Sequence, residues 1–181
     1  MAKFLGEQWE VGEVITYTFN VSAIGMYEFS SRYETKFETA MAEWSSVANI
    51  DFQETNNLFA ADWLIGWDPA PDGRYGVLGW NYNLDRDQDG WLETGEGDRS
   101  FIAMDWWDTR YFDAVAVHEA GHALGLGHNN AESSIMTTYI GSLDAPTEAD
   151  IAAVQDLYGA RDVVVAEEEV TAVATVQTGD Q

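Results

Sequence analysis

One short segment constrains this chain more than any other. All three histidines of the 181-residue sequence lie between positions 118 and 128, in the stretch HEAGHALGLGHNN. Residues four apart share one face of a helix, so His118 and His122 can direct a ring nitrogen at a single ion. Gly125 can adopt the left-handed conformation that ends a helix, after which the chain can turn and present His128 as a third ligand.

The spacing of these residues predicts a catalytic zinc site. Three neutral imidazoles that leave one coordination position open are typical of catalytic rather than structural zinc. Glu119 follows the first ligand and can flank the ion without binding it. The pattern HExxHxxGxxH is the metzincin signature, which is accompanied by a downstream methionine in a tight turn, and Met136 in SSIMTTY fits that role.

Each of these residues, taken alone, has a simpler explanation. The motif HExxH arises by chance in many chains, helical histidines are often partly buried polar residues, and a lone methionine is more often part of a core. The combination in one segment, with no histidine elsewhere, favours the zinc site.

The composition limits both the metal ligands and the partners. The chain contains no cysteine, so any metal must rest on histidine, carboxylate or carbonyl oxygen. Its 32 acidic residues against 8 basic ones give a formal charge of -24, which argues against nucleic acid or an anionic membrane as partner. No apolar run is long enough to span a membrane, and the N-terminal MAKFLGEQWE lacks the apolar run of a signal peptide.

The hydrophobic pattern predicts strands and one long helix in the first two thirds of the chain. Apolar residues spaced by three or four predict an amphipathic helix over residues 27–47. Runs rich in β-branched and aromatic residues predict five strands, at residues 14–21, 49–54, 61–68, 75–82 and 100–106.

Two further helices are predicted. One covers residues 147–158, with Thr147 as its N-cap, Asp150 at its third position and Gly159 as its end. The other covers residues 111–125 and carries the histidine motif in its second half. The residues available to cap its start are Asp108, Thr109 and Asp113.

A second motif predicts a calcium site. The segment DRDQDGWLETGE, residues 85–96, matches the twelve-residue calcium loop, with Gly90 at position six. No clear helix precedes it, so a structural loop is expected rather than a switching EF-hand. The predicted ligands are the carboxylates of Asp85, Asp87, Asp89 and Glu96, the carbonyl of Trp91, and Glu93 directly or through water.

The alternative for this segment is a solvated acidic loop in an already acidic protein. The glycine in register and the final glutamate favour calcium. Asp98 and Asp105 are weaker candidates for a further calcium site.

Beyond the histidines, the chain resembles the metzincin metallopeptidases, specifically the matrixins and the serralysin-like catalytic domains. ITYTF is similar to the family's opening strand, AMAEWSSVANIDFQE to the helix-to-strand segment of serralysins, and DIAAVQDLYGA to their closing helix. Together these segments cover most of residues 14–160. The resemblance implies an α+β fold: a twisted five-stranded mixed sheet with a long backing helix, an active-site helix and a C-terminal helix.

The resemblance also implies roles for single residues. His118, His122 and His128 correspond to the zinc ligands, Glu119 to the general base and Met136 to the turn methionine. YGVLGW is similar to the rim strand that pairs with extended substrate. The substrate-binding residues implied are Gly76, Val77, Leu78, Gly79 and Trp80.

Some positions depart from the serralysin pattern. The serralysin tyrosine that can approach zinc lies two residues after the methionine, where this chain has Thr138, and Tyr139 is one residue further. Asn129 follows the third histidine in place of the usual proline. The implied protein is a secreted, monomeric endopeptidase acting on proteins or peptides, with residues 1–160 as catalytic domain and 161–181 as a tail or linker.

Three alternatives stay open at the level of sequence. A zinc- and calcium-containing binding or adhesion module could share the fold without cleaving anything, although the retained Glu119 speaks against it. Another HExxH hydrolase could act on a non-peptide substrate, although the third histidine and Met136 disfavour that. Finally, residues 163–165 could add an edge strand instead of belonging to a loose tail.

Overall fold

The protein is described by a computed structural model that covers residues 4–70, 76–107, 109–131 and 133–161. None of the helices in these ranges is both long and apolar enough to cross a membrane. The strands and α-helices of the described ranges are, in chain order, β1 (Gln8–Trp9), β2 (Val14–Thr18), α1 (Ser31–Val47), β3 (Asp51–Glu54), β4 (Trp63–Trp67), β5 (Gly79–Leu84), β6 (Trp91–Leu92), β7 (Arg99–Met104), α2 (Phe112–Ala123) and α3 (Glu148–Tyr158).

A five-stranded mixed sheet forms the framework, as the resemblance implied, with strand order β3-β2-β4-β7-β5. The first four strands are parallel, and β5 pairs antiparallel to β7 at one edge. All five residues of the central strand β4 are buried. Their side chains alternate: Trp63 and Ile65 join the main core, whereas Leu64 joins a small cluster on the opposite face.

The long helix α1 packs on this sheet and on α2. Its buried residues include Phe37, Met41 and Trp44, which belong to the predicted apolar stripe. The Trp44 indole donates a 2.9 Å hydrogen bond to the Val117 carbonyl, which ties α1 to the helix that carries the histidines. The backing helix therefore holds α2 from the side away from solvent.

The start of α1 was predicted wrongly, at residue 27 instead of Ser31. Tyr27 forms an isolated β-bridge with Trp67, and each backbone N–H donates to the other residue's carbonyl. These bonds hold Tyr27 in an extended conformation, so the helix begins after it. The first strand likewise ends at Thr18 rather than at residue 21, because a short 3-10 helix, Ser22–Ile24, follows.

The rim strand lies later in the chain than predicted: it spans Gly79–Leu84 instead of residues 75–82. Its partner β7 ends at Met104, which is in register with Gly79, so no ladder residue remains for positions 76–78. One further hydrogen bond, from the Asp105 N–H to the Leu78 carbonyl, closes the end of the ladder. Tyr75 lies outside the described residues.

The last helix agrees with its prediction. The Thr147 N–H and hydroxyl both donate to the Asp150 carboxylate, and α3 ends before Gly159. The Arg161 guanidinium donates to the Ile50 carbonyl and to Asp51. The rest of the predicted tail, including the alternative edge strand at 163–165, lies outside the described residues.

Close packing around β4 leads to a stability prediction. A Cβ on Gly66 would lie 2.7 Å from both the Tyr27 carbonyl oxygen and a methyl of Val21. Gly66→Ala should therefore lower the free energy of unfolding by about 1–3 kcal/mol, as overpacked core substitutions do. Gly141→Ala is the control, because a Cβ there meets no atom within 4 Å. Urea unfolding measures both, and equal midpoints would contradict the packing argument.

Candidate metal centre

Helix α2 faces the core and carries two of the three histidines. Nine of its twelve residues are buried, so the positions of its ring-bearing residues are fixed by packing. The predicted capping of α2 by Thr109 or Asp113 was wrong. The N-cap is Tyr111, without a side-chain cap bond, because a 3-10 turn, Thr109–Tyr111, leads directly into the helix. Asp113 instead forms an ion pair with Lys36 of α1, and Asp108 lies outside the described residues.

The turn after α2 returns the chain towards the same face, as predicted. Gly125 has φ +91°, and a Cβ there would lie 2.3 Å from the Glu7 carbonyl oxygen, so both the backbone conformation and the close approach require glycine. The Leu126 N–H donates to the Gly121 carbonyl, which closes the turn. His128 follows two residues later.

The three histidines come together in the structure. Each offers a ring nitrogen, and these three atoms lie within 4.8 Å of one another. The Nε2 atoms of His122 and His128 are 3.3 Å apart. Burial lowers the pKa of His118, and burial with the neighbouring His118 lowers the pKa of His122 to about 4. These two rings are therefore neutral at neutral pH, which is the form that binds metal.

Backbone carbonyls orient the two helical rings. The His118 Nδ1 lies 2.8 Å from the Ile135 carbonyl oxygen, and the His122 Nδ1 lies 2.7 Å from that of Leu126. A carbonyl can only accept, so each Nδ1 carries the proton and each Nε2 keeps its lone pair. The donor set thus fits a zinc ion bound by three imidazole nitrogens.

Glu119, the predicted general base, follows His118 on α2. Its carboxylate is buried, and its Oε2 atom has no hydrogen-bond partner among the described residues. Burial raises the pKa of this carboxyl group to about 8. Its Oε1 atom would lie 2.9 Å from a Cβ on Gly79, which places the carboxylate between α2 and the start of the rim strand.

Met136 lies in a turn, and its side chain packs against α2, where a Cβ on Gly121 would lie 2.5 Å from the Met136 Sδ. Its side chain is buried, and its carbonyl accepts the Asn129 N–H at 2.8 Å. Asp150 of α3 holds the same turn by accepting bonds from the Ser134 hydroxyl and, at 2.9 Å, from the Ile135 N–H. Since Ile135 supplies the carbonyl that orients His118, α3 supports the histidine cluster through this turn.

A cavity of about 840 Å³ opens beside the histidines. Its walls are the segment preceding and beginning β5, the exposed face of α2, and residues 133–143. All five residues implied as substrate-binding line it: Gly76, Val77, Leu78, Gly79 and Trp80. Tyr139 also lines the cavity, and 84% of the residue's surface is exposed.

Comparison with known proteins agrees with this geometry. The matrixin model of the peptidase M10 class matches residues 8–159, which include the sheet, the three helices and the histidines. The chain belongs to the matrixin family.

Similar proteins include plant and bacterial metalloproteinases. The chain is 34% identical over 142 residues to metalloendoproteinase 5-MMP of Arabidopsis thaliana, which covers 68% of this chain and 38% of that protein. It is 30% identical over 172 residues to metalloendoproteinase 1 of Glycine max, covering 84% of this chain and 53% of the relative. Karilysin of Tannerella forsythia is 28% identical over 175 residues, covering 85% and 34%. The chain thus spans about a third to a half of the length of these relatives.

The acidic loop of this matrixin is only partly assembled as predicted. Carboxylate oxygens of Asp85, Asp87 and Asp89 lie within 4.8 Å of one another, and this group does not include Glu93 or Glu96. Asp85 also accepts the Gly90 N–H at 2.9 Å, which closes the loop.

Glu93 has a different environment from the three aspartates. A hydrogen bond with Asp98, followed by burial and the charges of Asp89, Asp98 and Asp87, raises the pKa of Glu93 to about 7. The Asp98 carboxylate also accepts the backbone N–H groups of Arg86 and Glu93. Negative charge is therefore concentrated around this loop, which also contains Arg86.

The pairing of Asp98 with Asp105 in a further calcium site was wrong. The two residues flank β7 on opposite ends, and a strand of that length separates them by roughly 20 Å at about 3.3 Å per residue. No single ion can contact both. Asp105 instead accepts the Trp107 N–H at 2.6 Å.

Sequence reasoning missed the residues that support the matrixin site from outside the motif. Asp150 was identified only as a helix cap, and its bonds to the methionine turn carry no local signal. Trp9 was not identified at all, although its indole donates to the Ala123 carbonyl at the end of α2. The sequence signal that could have identified Trp9 is its position as a single tryptophan in a polar stretch.

The Asp150 network generates a prediction. Asp150→Ala would leave the buried N–H of Ile135 and the Ser134 hydroxyl without their acceptor, at a cost on the order of 3 kcal/mol in the free energy of unfolding. Asp156→Ala removes an exposed carboxylate from the same helix and should change it by less than about 0.5 kcal/mol. Chemical denaturation of both variants tests this, and similar losses would argue against the network.

Proposed function

We propose that this chain is a zinc-dependent endopeptidase that hydrolyses peptide bonds of protein substrates. The observation that carries the proposal is the convergence of three imidazoles beside the buried Glu119 carboxylate, which faces the start of an edge strand. Membership of a metallopeptidase family supports the same reading.

The residues have distinct roles in this proposal. His118, His122 and His128 would hold zinc, which would supply Lewis acidity to the attacking water and to the substrate carbonyl. Glu119 accepts the proton of the attacking water and then donates it to the leaving amine. Because its surroundings are apolar and its pKa is raised, the carboxyl group can both take up and release that proton near neutral pH.

The edge strand favours peptides as substrates. β5 is the last strand of the sheet, so one side pairs with β7 and the other side has no strand partner among the described residues. An extended peptide can add to such an edge through backbone hydrogen bonds while its side chains enter the adjoining cavity. Gly76 to Trp80 are the proposed substrate contacts. Tyr139, which also lines the cavity, is the candidate residue for approaching zinc.

We further propose that the loop at residues 85–96 binds a structural calcium ion. Three aspartates within 4.8 Å repel one another unless a cation neutralises them. Trp91, Glu93 and Glu96 complete the proposed ligand set, which requires six or more oxygens. The loop connects β5 to β7, so an ion there would stiffen the wall beside the substrate site.

We also propose that the protein is secreted and that the chain consists of a catalytic domain and a tail. Calcium loops of modest affinity operate at the calcium concentrations found outside cells, which fits secretion of this acidic protein. Residues 1–160 would act as a monomeric catalytic domain, with 161–181 as tail or linker. Because the chain spans only part of its relatives, these statements concern this chain alone.

Substitution of Glu119 tests the proposed catalytic role. Glu119→Gln should lower kcat/KM on a mixed peptide library at least ~100-fold, because it removes the proton acceptor. Zinc content should stay near one ion per chain, because Glu119 is not a ligand. Glu148→Gln, an exposed change of the same kind, should leave both values unchanged. A Glu119→Gln variant with full activity would refute this role, and wild-type protein that binds zinc but cleaves no peptide would favour the binding-module alternative.

Thermal unfolding with added calcium tests the proposed calcium site. Adding calcium to metal-stripped protein should raise Tm, because a ligand that binds only the folded state stabilises it, by about 2.7 kcal/mol at a hundredfold excess over Kd. Asp87→Asn should reduce this shift, whereas Asp156→Asn, the same charge change on α3, should preserve it. Calcium titrations followed by thermal unfolding measure all three proteins. An unchanged Tm at saturating calcium would exclude the site.

A further inference from the structure

The N-terminal segment at residues 4–10, which we call the strap, crosses the C-terminal end of α2. The Leu5 N–H donates to the Gly125 carbonyl at 2.8 Å, and Phe4 forms a β-bridge with Leu126. The Trp9 indole donates to the Ala123 carbonyl at 3.0 Å. The strap therefore contacts the turn that separates the second histidine from the third.

These contacts satisfy the carbonyls that a helix leaves unpaired at its end. The Leu124 carbonyl, between those of Ala123 and Gly125, accepts a hydrogen bond from the Tyr158 hydroxyl at 2.9 Å. The same hydroxyl accepts a hydrogen bond from the backbone N–H of Trp9. Three consecutive carbonyls thus receive donors from the strap or from α3. Their positions are set from outside the helix.

The strap is anchored on its other side as well. Gln8 and Trp9 form β1, which pairs in parallel with β6, a strand inside the acidic loop at residues 85–96. The Trp9 side chain is fully buried in the main core. The strap therefore has a fixed position from which to hold the turn.

The turn acts on two of the three histidines. The Leu126 carbonyl orients the His122 ring through Nδ1, at 2.7 Å. His128 follows Leu126 by two residues, so its position depends on the path of the same backbone. A shift of the turn would move both rings relative to His118.

We propose that Trp9 is a positioning residue for the metal centre, acting through the Ala123–Leu126 turn to bring His122 and His128 into register with His118. This inference rests on the proposed zinc site and extends it to a residue far from the motif. Trp9 touches neither metal nor substrate, so its effect is on the geometry and affinity of the site.

Zinc affinity of Trp9→Phe tests the proposal. The variant keeps an aromatic ring but removes the donor to Ala123, so the turn that orients His122 and His128 loses a support. Zinc should therefore bind about tenfold more weakly, as is typical when a residue that supports metal ligands is removed. Trp63→Phe is the matched control, because Trp63 is equally buried and its Nε1 has no hydrogen-bond partner in the described part of the chain. Affinity is measured by competition with a chromophoric zinc chelator, and visible spectra of the cobalt-substituted proteins report ligand geometry.

The outcomes separate this inference from the proposed function. Weaker zinc binding and an altered cobalt spectrum in Trp9→Phe alone support it. Equal affinities in wild type, Trp9→Phe and Trp63→Phe would overturn the positioning role and leave the zinc site intact. Folded wild-type protein that binds no zinc would overturn both.

A second pair of variants applies if Trp9→Phe does not fold. Leu5 is half exposed, so Leu5→Ala and Leu5→Pro each remove the same side chain without opening the core. Only the proline removes the N–H that donates to Gly125. Zinc should bind several-fold more weakly to Leu5→Pro than to Leu5→Ala, and equal binding would overturn the proposal.

Discussion

The geometry of the histidine cluster depends on two hydrogen bonds that fix imidazole rings. The carbonyls of Ile135 and Leu126 hold the Nδ1 atoms of His118 and His122, and this leaves the Nε2 atoms directed at a common point. Neither carbonyl belongs to the helix that carries the rings. The metal-binding face is therefore completed by irregular backbone, which must itself be held in place by other parts of the fold.

Two elements distant in sequence hold that backbone. Asp150 caps α3 and also binds the turn that contains Ile135, while Trp9 and Leu5 bind the turn that contains Leu126. The first turn is held from the C-terminal helix and the second from the N-terminal strap. A substitution in α3 or in the strap would thus shift the backbone that orients the histidines, although the histidines themselves are unchanged.

How well the sequence predicted each feature follows from the range of the interactions behind it. The alignment of His118 with His122 and the capping of α3 by Asp150 depend on residues three or four apart, and both were predictable. The delayed start of α1 depends on the bridge between Tyr27 and Trp67, forty residues later, so periodicity alone placed it too early. The five strands of the main sheet and the three α-helices were thus predictable, while their limits depend on distant partners. The two-residue strands β1 and β6 were not predicted.

The same distinction applies within the candidate site. The three aspartates of the acidic loop are close in sequence, and the structure gathers them. The suggested pair of Asp98 and Asp105 failed because an intact strand, β7, separates them. Trp9 went unnoticed because its acceptor lies at the far end of α2, and nothing in the residues around it indicates such a contact.

The bond between Trp9 and Ala123 also has a consequence for how the domain forms during synthesis. The two residues are 114 positions apart, so at about 5–20 residues per second a ribosome makes the donor on the order of 10 s before its acceptor. The histidine helix can form locally once it emerges, whereas closure of this contact must recruit the beginning of the chain and lose its conformational freedom. The contact that holds the metal-binding turn therefore cannot form until Ala123 has been synthesised and has left the ribosome.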